Sequence, residues 1–168
     1  GTFSLDSSRF YFTKCSQNWQ YKTVCHIYMS KFRNGKWSKP EALNELVNMP
    51  DFTSSHPTVG RESKKNKEVL YFVSDREGTK GGMDIWFSQI TNGNQFSKVK
   101  NLKEINTVEN DICPWWDVTS NSLYFSSSWQ NGFGGLDIYK ANYTNQFSIP
   151  ENIGKPFNSS ANDLYFFK

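Results

Sequence analysis

One pattern of segments occurs three times in this chain in the same order, and a repeat of that length restricts the fold more than any other feature of the sequence. Its first element is aromatic: Phe10-Tyr11-Phe12, then Leu70-Tyr71-Phe72, then Leu123-Tyr124-Phe125. A second apolar segment follows a loop, at His26-Ile27-Tyr28, Asp84-Ile85-Trp86 and Asp137-Ile138-Tyr139. A third is expected at residues 37–40, 96–99 and 147–150, where Trp37-Ser38-Lys39-Pro40, Phe96-Ser97-Lys98-Val99 and Phe147-Ser148-Ile149-Pro150 resemble one another. The tyrosines at 11, 71 and 124 are 60 and 53 residues apart, which suits about four short strands per unit. The fourth strand is placed ahead of each aromatic one, at Thr2 to Leu5, Pro57 to Val59 and Pro114 to Val118, and the tail Asn162 to Phe166 reads as the same strand of a further unit.

The connections fit short strands. Asn34-Gly35 and Asn92-Gly93 stand where a tight hairpin needs residues tolerant of positive φ. Gly81-Gly82 and Gly134-Gly135 precede Asp84 and Asp137 at identical offsets. A sharp bend is expected there, with each aspartate accepting backbone N–H bonds from its loop. Aromatic residues at consecutive positions, instead of strict alternation with polar ones, imply strands buried on both faces. Strand formers dominate and no segment keeps an apolar spacing of helical period, so the class is all-β.

The chain of 168 residues carries 19 Lys+Arg against 16 Asp+Glu, a net charge of +3. On those totals the basic residues read as dispersed among acidic ones, and nothing demands nucleic acid. The densest basic run, Lys64, Lys65 and Lys67, lies between Glu62 and Glu68 and reads as a solvated loop. No apolar run reaches the length of a membrane span.

With the repeat in hand, Leu70-Tyr-Phe-Val-Ser-Asp75, Gly81-Gly-Met-Asp-Ile-Trp86, Leu123-Tyr-Phe-Ser-Ser127 and Gly134-Gly-Leu-Asp-Ile-Tyr139 resemble the TolB-like, WD-like β-propeller repeat. The resemblance covers nearly the whole chain. It is closest to the version in envelope proteins of Bacteroidetes-type bacteria, where the propeller precedes an OmpA-type peptidoglycan-binding domain and includes accessory proteins of type IX secretion. It implies a periplasmic interaction platform, often in an outer-membrane lipoprotein. Any peptidoglycan contact would belong to a domain outside these residues. The first unit departs from the pattern, with His26 in the place of Asp84 and Asp137 and no Gly-Gly before it.

Among residues that could carry chemistry, Cys15 and Cys25 flank the loop of one hairpin, within reach of a disulfide. Two reduced, half-buried thiols are the other reading. A bridge would stand in for the missing Gly-Gly and point to an oxidising compartment. Cys113, before Pro114, reads as a small core residue. His56 and Cys113 occupy matching places, but zinc wants three or four ligands and no further histidine is near. Asp75, Asp84, Asp111, Asp137 and Asp163 suit loop capping better than a calcium site, which needs many oxygens converging on one point. Neither a Gly-x-Ser-x-Gly elbow nor a sialidase-type aspartate box is present. Trp115 and Trp116 are adjacent, while Trp19 and Trp129 fall in long hairpin loops. Those two are candidate contacts for a partner, unless they fold back over their own hairpins.

The expectation is therefore an all-β, partial propeller with units at about 1–50, 54–105 and 111–157 and a fourth beginning at 162–168, belonging to a ring of about six blades. It is read as non-catalytic and cofactor-free, binding a protein partner in the periplasm at the outer membrane. A glycan-binding or glycan-cleaving propeller is the alternative.

Overall fold

The structure is a computed structural model and describes residues 1–62, 67–91, 95–129 and 132–168. The described residues form three antiparallel sheets and no helix. The first sheet contains β1 (Thr2–Phe3), β2 (Arg9–Gln17), β3 (Thr23–Arg33), β4 (Lys36–Trp37) and β5 (Glu41–Ala42). The second contains β6 (Ser54–Glu62), β7 (Lys67–Ser74), β8 (Asp84–Thr91), β9 (Gln95–Phe96) and β10 (Lys100–Asn101). The third contains β11 (Asp111–Asp117), β12 (Ser122–Ser127), β13 (Asp137–Asn142) and β14 (Glu151–Asn152).

Each sheet has the same order. A leading strand (β1, β6, β11) pairs with the aromatic strand (β2, β7, β12), which pairs with the next (β3, β8, β13), and a two-residue strand (β5, β10, β14) closes the outer edge. That edge corrects one expectation. The segments at 37–40, 96–99 and 147–150 contribute only a short hairpin extension at Lys36–Trp37, at Gln95–Phe96 and at the Tyr143–Phe147 bridge. The edge strand itself comes later, where Tyr28 meets Ala42, Trp86 meets Asn101 and Tyr139 meets Asn152. Ser38, Ser97 and Ser148 end the extension, each hydroxyl oxygen accepting an N–H of the neighbouring strand, from Lys31, Gln89 and Asn142. This local pairing competes with continued ladder formation.

The sheets stack face to face, and the core lies in the two seams between them. In the first seam Tyr11, Ile27, Met29, Leu43 and Val47 meet Val59, Leu70, Phe72, Trp86, Ile90 and Phe96. In the second, Val69, Tyr71, Val73, Ile85, Leu102 and Ile105 meet Trp116, Leu123, Phe125, Tyr139, Ala141 and Phe147. Adjacent residues of β7 therefore serve opposite seams, Leu70 and Phe72 one and Val69, Tyr71 and Val73 the other. Each fully buried large side chain contributes on the order of 2 kcal/mol. Tyr124 is also buried, but its ring stacks on Phe166 of the tail at 4.5 Å instead of on a further sheet.

The tail forms no strand over residues 163–168. It nonetheless starts as β11 does: Asp163 N donates to Leu136 O at 2.6 Å, as Asp111 N donates to Met83 O at 2.8 Å. Tyr165 repeats the left-handed backbone of His56 and Cys113, with φ of 58°, 47° and 53°. In β6 and β11 that residue sits at a bulge between Ser55 and Thr58, and between Ile112 and Trp115. The tail follows the path of a leading strand, and among the described residues no aromatic strand lies beside it to complete the ladder. Asn34 and Gly35, at φ of 51° and 75°, make the expected left-handed turn. Asn92, Gly93, Lys64 and Lys65 lie outside the described residues, while Lys67 opens β7.

Candidate functional site: the loop end of the sheets

Because the three sheets are built alike, their β2–β3, β7–β8 and β12–β13 connections emerge at one end. Those loops carry most of the residues singled out in the sequence.

In the first sheet, Cys15 and Cys25 are directly opposite in the ladder and joined by a disulfide. Beyond them the chain turns through Asn18–Lys22. Asn18 Oδ1 accepts the N–H groups of Gln20 and Lys22, both at 3.0 Å. Its backbone exchanges bonds with Lys22 and Tyr21, and Tyr21 takes a left-handed φ of 59°. A turn held by one amide side chain above a covalent bond presents its aromatics outward. Trp19 is 80% exposed and Tyr21 is 82% exposed. Lys22 reaches Asp75 of the second sheet at 3.6 Å, and Asp75 in turn accepts the N–H of Thr53.

The second and third loops are tied to their own sheets by an aspartate. Asp84 accepts N–H bonds from Lys80 (2.6 Å) and Gly81 (3.2 Å), and also holds Asn101 Nδ2 (2.6 Å). Asp137 does the same with Phe133, Gly134 and Asn152. The glycines have a reason other than the bend expected of them, because none of Gly81, Gly82, Gly134 and Gly135 has a positive φ. The segment leading to the next unit crosses directly over them. A Cβ on Gly81 would lie 1.9 Å from Glu109 O, and one on Gly134 would lie 2.0 Å from Ala161 O. Over Gly82 and Gly135 lie instead the side-chain Oδ1 atoms of Asn110 and Asn162. Trp129 is 38% exposed with its ring 6.0 Å from Tyr139, so it packs partly on its own sheet.

A second repeated device escaped the sequence reading. Asn48, Asn106 and Asn158 are buried, and each amide clasps one residue of the neighbouring strand by accepting its N–H and donating to its carbonyl, at Ile27, Ile85 and Ile138. The signal was visible as an asparagine 21, 21 and 20 residues after each of those isoleucines.

Beside the leading strands lies an open hollow of about 540 Å³, lined by Thr13, Thr23, Thr53, Ser55, His56 and Tyr165 among others and, among the described residues, by no carboxylate. His56 Nε2 is 3.4 Å from the Tyr165 hydroxyl. Cys113 is buried and free, and burial pushes its thiol up to about 11, away from the range of a reactive thiolate. Among the described residues no three His, Cys, Asp or Glu side chains converge as a metal ion would need.

The basic residues are not dispersed as the totals suggested. Residues 7–40 contain Arg9, Lys14, Lys22, Lys31, Arg33, Lys36 and Lys39 and no acidic residue, a local charge of +7. The remaining residues carry 12 Lys+Arg against all 16 Asp+Glu, or −4. The exposed aromatic tip therefore belongs to a cationic sheet on an otherwise acidic body.

No family model and no curated protein matches the chain. Among solved structures it is similar to a candidate TolB from Agrobacterium tumefaciens, with a TM-score of 0.53 and 16% sequence identity. The match covers 96% of this chain and 52% of that one, so the chain spans about half the length of its structural neighbour. The likeness shows a TolB-like β-propeller fold.

Proposed function

We propose that the three sheets are blades of a larger ring of about six, with Asn162–Lys168 opening a fourth, and that the ring is a non-catalytic protein-interaction module of a bacterial envelope protein. The periplasm at the outer membrane, in an assembly linked to secretion or peptidoglycan, is the setting that the resemblance of its repeats implies. The observation that carries the binding reading is the β2–β3 tip. Two aromatic side chains are held in water on a turn braced by Asn18 and a disulfide. Such preorganised aromatic anchors supply large contact area at small entropic cost. The positive field around them favours a partner with acidic charge.

Two further observations support the rest of the proposal. The side of the first sheet away from the second exposes Phe3, Phe32 and Trp37 at 44–52% and carries Phe10 and Phe12. The equivalent residues Leu70, Phe72 and Phe96 are buried by a preceding sheet, so a further blade suits that face. The glycan alternative would call for aromatic platforms and carboxylates converging in the hollow, whose described lining has no carboxylate.

Crosslinking and pull-down from the native envelope test the reading, comparing the parent with the Trp19→Ala/Tyr21→Ala variant. One dominant protein should be captured by the parent and lost with the variant. Capture that survives the double substitution would move the site elsewhere, and recovery of glycan alone would replace the reading.

A further inference from the structure

The two seams are built on one plan and differ at a residue that leaves the second with an unfilled, charged crevice. In the first seam, Arg9 and Tyr11 lie two positions apart on the side of β2 that faces the second sheet, opposite Lys31 and Met29. The Arg9 guanidinium is buried, donates to the Tyr11 hydroxyl at 3.4 Å, and pairs with Glu68 of β7. The other Glu68 oxygen accepts the N–H of Leu5 at 2.7 Å. A planar cation thus fills the space between a tyrosine hydroxyl and a carboxylate.

In the second seam the register puts Val69 and Tyr71 in the places of Arg9 and Tyr11, opposite Gln89 and Phe87. Valine cannot reach across. The result is a crevice of about 370 Å³, within the size range of small-ligand sites. It lies at the opposite end of the sheets from the Trp19 tip. Its walls are aromatic, with Tyr71 6.2 Å from Phe87 and 6.1 Å from Phe147, and Tyr143 4.9 Å from Phe147.

Glu62 and Glu104 stand at its margin. Each commits one oxygen: Glu62 accepts from Gln89 Nε2 at 2.7 Å, and Glu104 accepts the N–H of Phe147 at 2.9 Å. Lys100 and Lys103 also line the crevice, both exposed. Neither forms an ion pair with Glu62 or Glu104 among the described residues. Burial, then the two carboxylates, raise the pKa of the Tyr143 hydroxyl, and the same influences act on Tyr71. Two carboxylates, each with its second oxygen free of a hydrogen bond among the described residues, thus face four aromatic rings at the crevice, beside the exposed Lys100 and Lys103.

We propose that this crevice receives a guanidinium group, the side chain of an arginine on a partner protein, which takes from outside the part that Arg9 plays within the first seam. A guanidinium can stack on an aromatic face while its N–H fork meets a carboxylate, whereas the compact, strongly hydrated ammonium of lysine does neither as well. That the arginine belongs to a protein rests on the interaction reading above; the chemistry of the crevice is tested independently of it.

The probe is N-acetyl-L-arginine amide, titrated into the chain while the backbone amides are followed by NMR. Saturable shifts are expected at Val69, Tyr71, Gln89 and Phe147. N-acetyl-L-lysine amide should bind about fivefold more weakly and N-acetylglucosamine should leave those amides unmoved. Glu104→Gln, at an exposed position, should weaken arginine binding by roughly three- to tenfold. Val69→Arg should supply the missing guanidinium internally and abolish probe binding while the spectrum stays dispersed. Shifts that do not saturate, equal response to arginine and lysine, or a response to the sugar alone would each overturn the proposal. Should Val69→Arg fail to fold, unchanged affinity in Glu104→Gln would do so by itself. A failed pull-down with the Trp19 variant would leave these titrations readable.

Discussion

The first hairpin and its two successors meet the same requirement, to hold a long loop at the end of two strands, by opposite means. The loops of the second and third sheets are held from outside. Asp84 and Asp137 gather their N–H groups, while the segment entering the next unit presses on Gly81 and Gly134. The first loop is held from within by Cys15–Cys25 and the Asn18 turn. A loop clamped by its neighbour is tied into the stack, whereas a self-supporting loop can project. The most exposed loop aromatics, Trp19 and Tyr21 at 80% and 82%, belong to the self-supporting one, while Phe133 and Trp129 of the third loop are 50% and 38% exposed.

The most severe way to break this comparison is to refuse the external clamp its close approach. In Gly81→Ala the new methyl would meet the backbone carbonyl of Glu109, and a backbone atom cannot swing aside as a side chain can. A loss of about 3 kcal/mol is expected, at the upper end of overpacking costs, measured by urea unfolding. A loss under about 1 kcal/mol would mean that the clamp is loose. The internal brace should weigh slightly less. Cys15→Ser/Cys25→Ser removes a cross-link over a separation of 10 residues, worth about 2–3 kcal/mol through the unfolded chain. Reducing agent should destabilise the parent to the level of this variant and leave the variant unchanged.

The contrast between the two kinds of loop was half legible in the sequence. The repeat disclosed three sheets because the aromatic runs at Tyr11, Tyr71 and Tyr124 recur in the same order, and the burial on both sides that they imply holds for β7 and β12 but not for the outer side of β2. The departures at His26 and the cysteines marked the first loop as different. The purpose of Gly-Gly was not legible, because its cause is a carbonyl brought in from about 28 residues downstream, and a pattern of local turns attributes it to the bend. The Asn48, Asn106 and Asn158 clasps were hidden for a similar reason, since asparagine in a polar segment reads as a turn former until the strand it grips is beside it. The edge strands were misplaced because two-residue pairings such as Glu41–Ala42 leave no periodicity to detect. The crevice at Val69 could not be seen at all, for its content is a residue that is missing from one seam and present in the other.

A pH dependence should separate the two seams. Asp111 opens β11 fully buried and accepts from the Thr107 N–H and hydroxyl, whereas its counterpart in the first seam is the neutral Ser54. Burial above all, with nearby Asp84 adding to it, pushes the Asp111 carboxyl up to about 6. An acid whose pKa is higher folded than unfolded, where it is about 3.9, costs nothing while protonated in both states. Its cost grows as pH rises from about 4 through 6 and is complete above that. Asp111→Asn removes this titration, so the variant should gain on the parent by on the order of 2 kcal/mol between pH 4 and pH 7. A difference in melting temperature that stays flat over that interval would show that Asp111 titrates normally.

The smallest effect on stability is expected where the effect on function is largest. Trp19 sits 80% exposed on a turn held by bonds among Asn18, Gln20, Tyr21 and Lys22 and by the Lys22–Asp75 pair, with none from the indole among the described residues. Among the described residues its ring makes no contact with another aromatic ring, whereas Trp129 lies against Tyr139 and Trp116 against Tyr71. Truncation to alanine therefore removes little buried area, and surface changes of this kind stay within about 0.5 kcal/mol. Trp129→Ala should cost more, since it strips part of the cover from Tyr139. If Trp19→Ala instead destabilises the chain by 1 kcal/mol or more, the ring is packed in solution. The first loop would then be held from outside like the other two, and the distinction between clamped and projecting loops would fail.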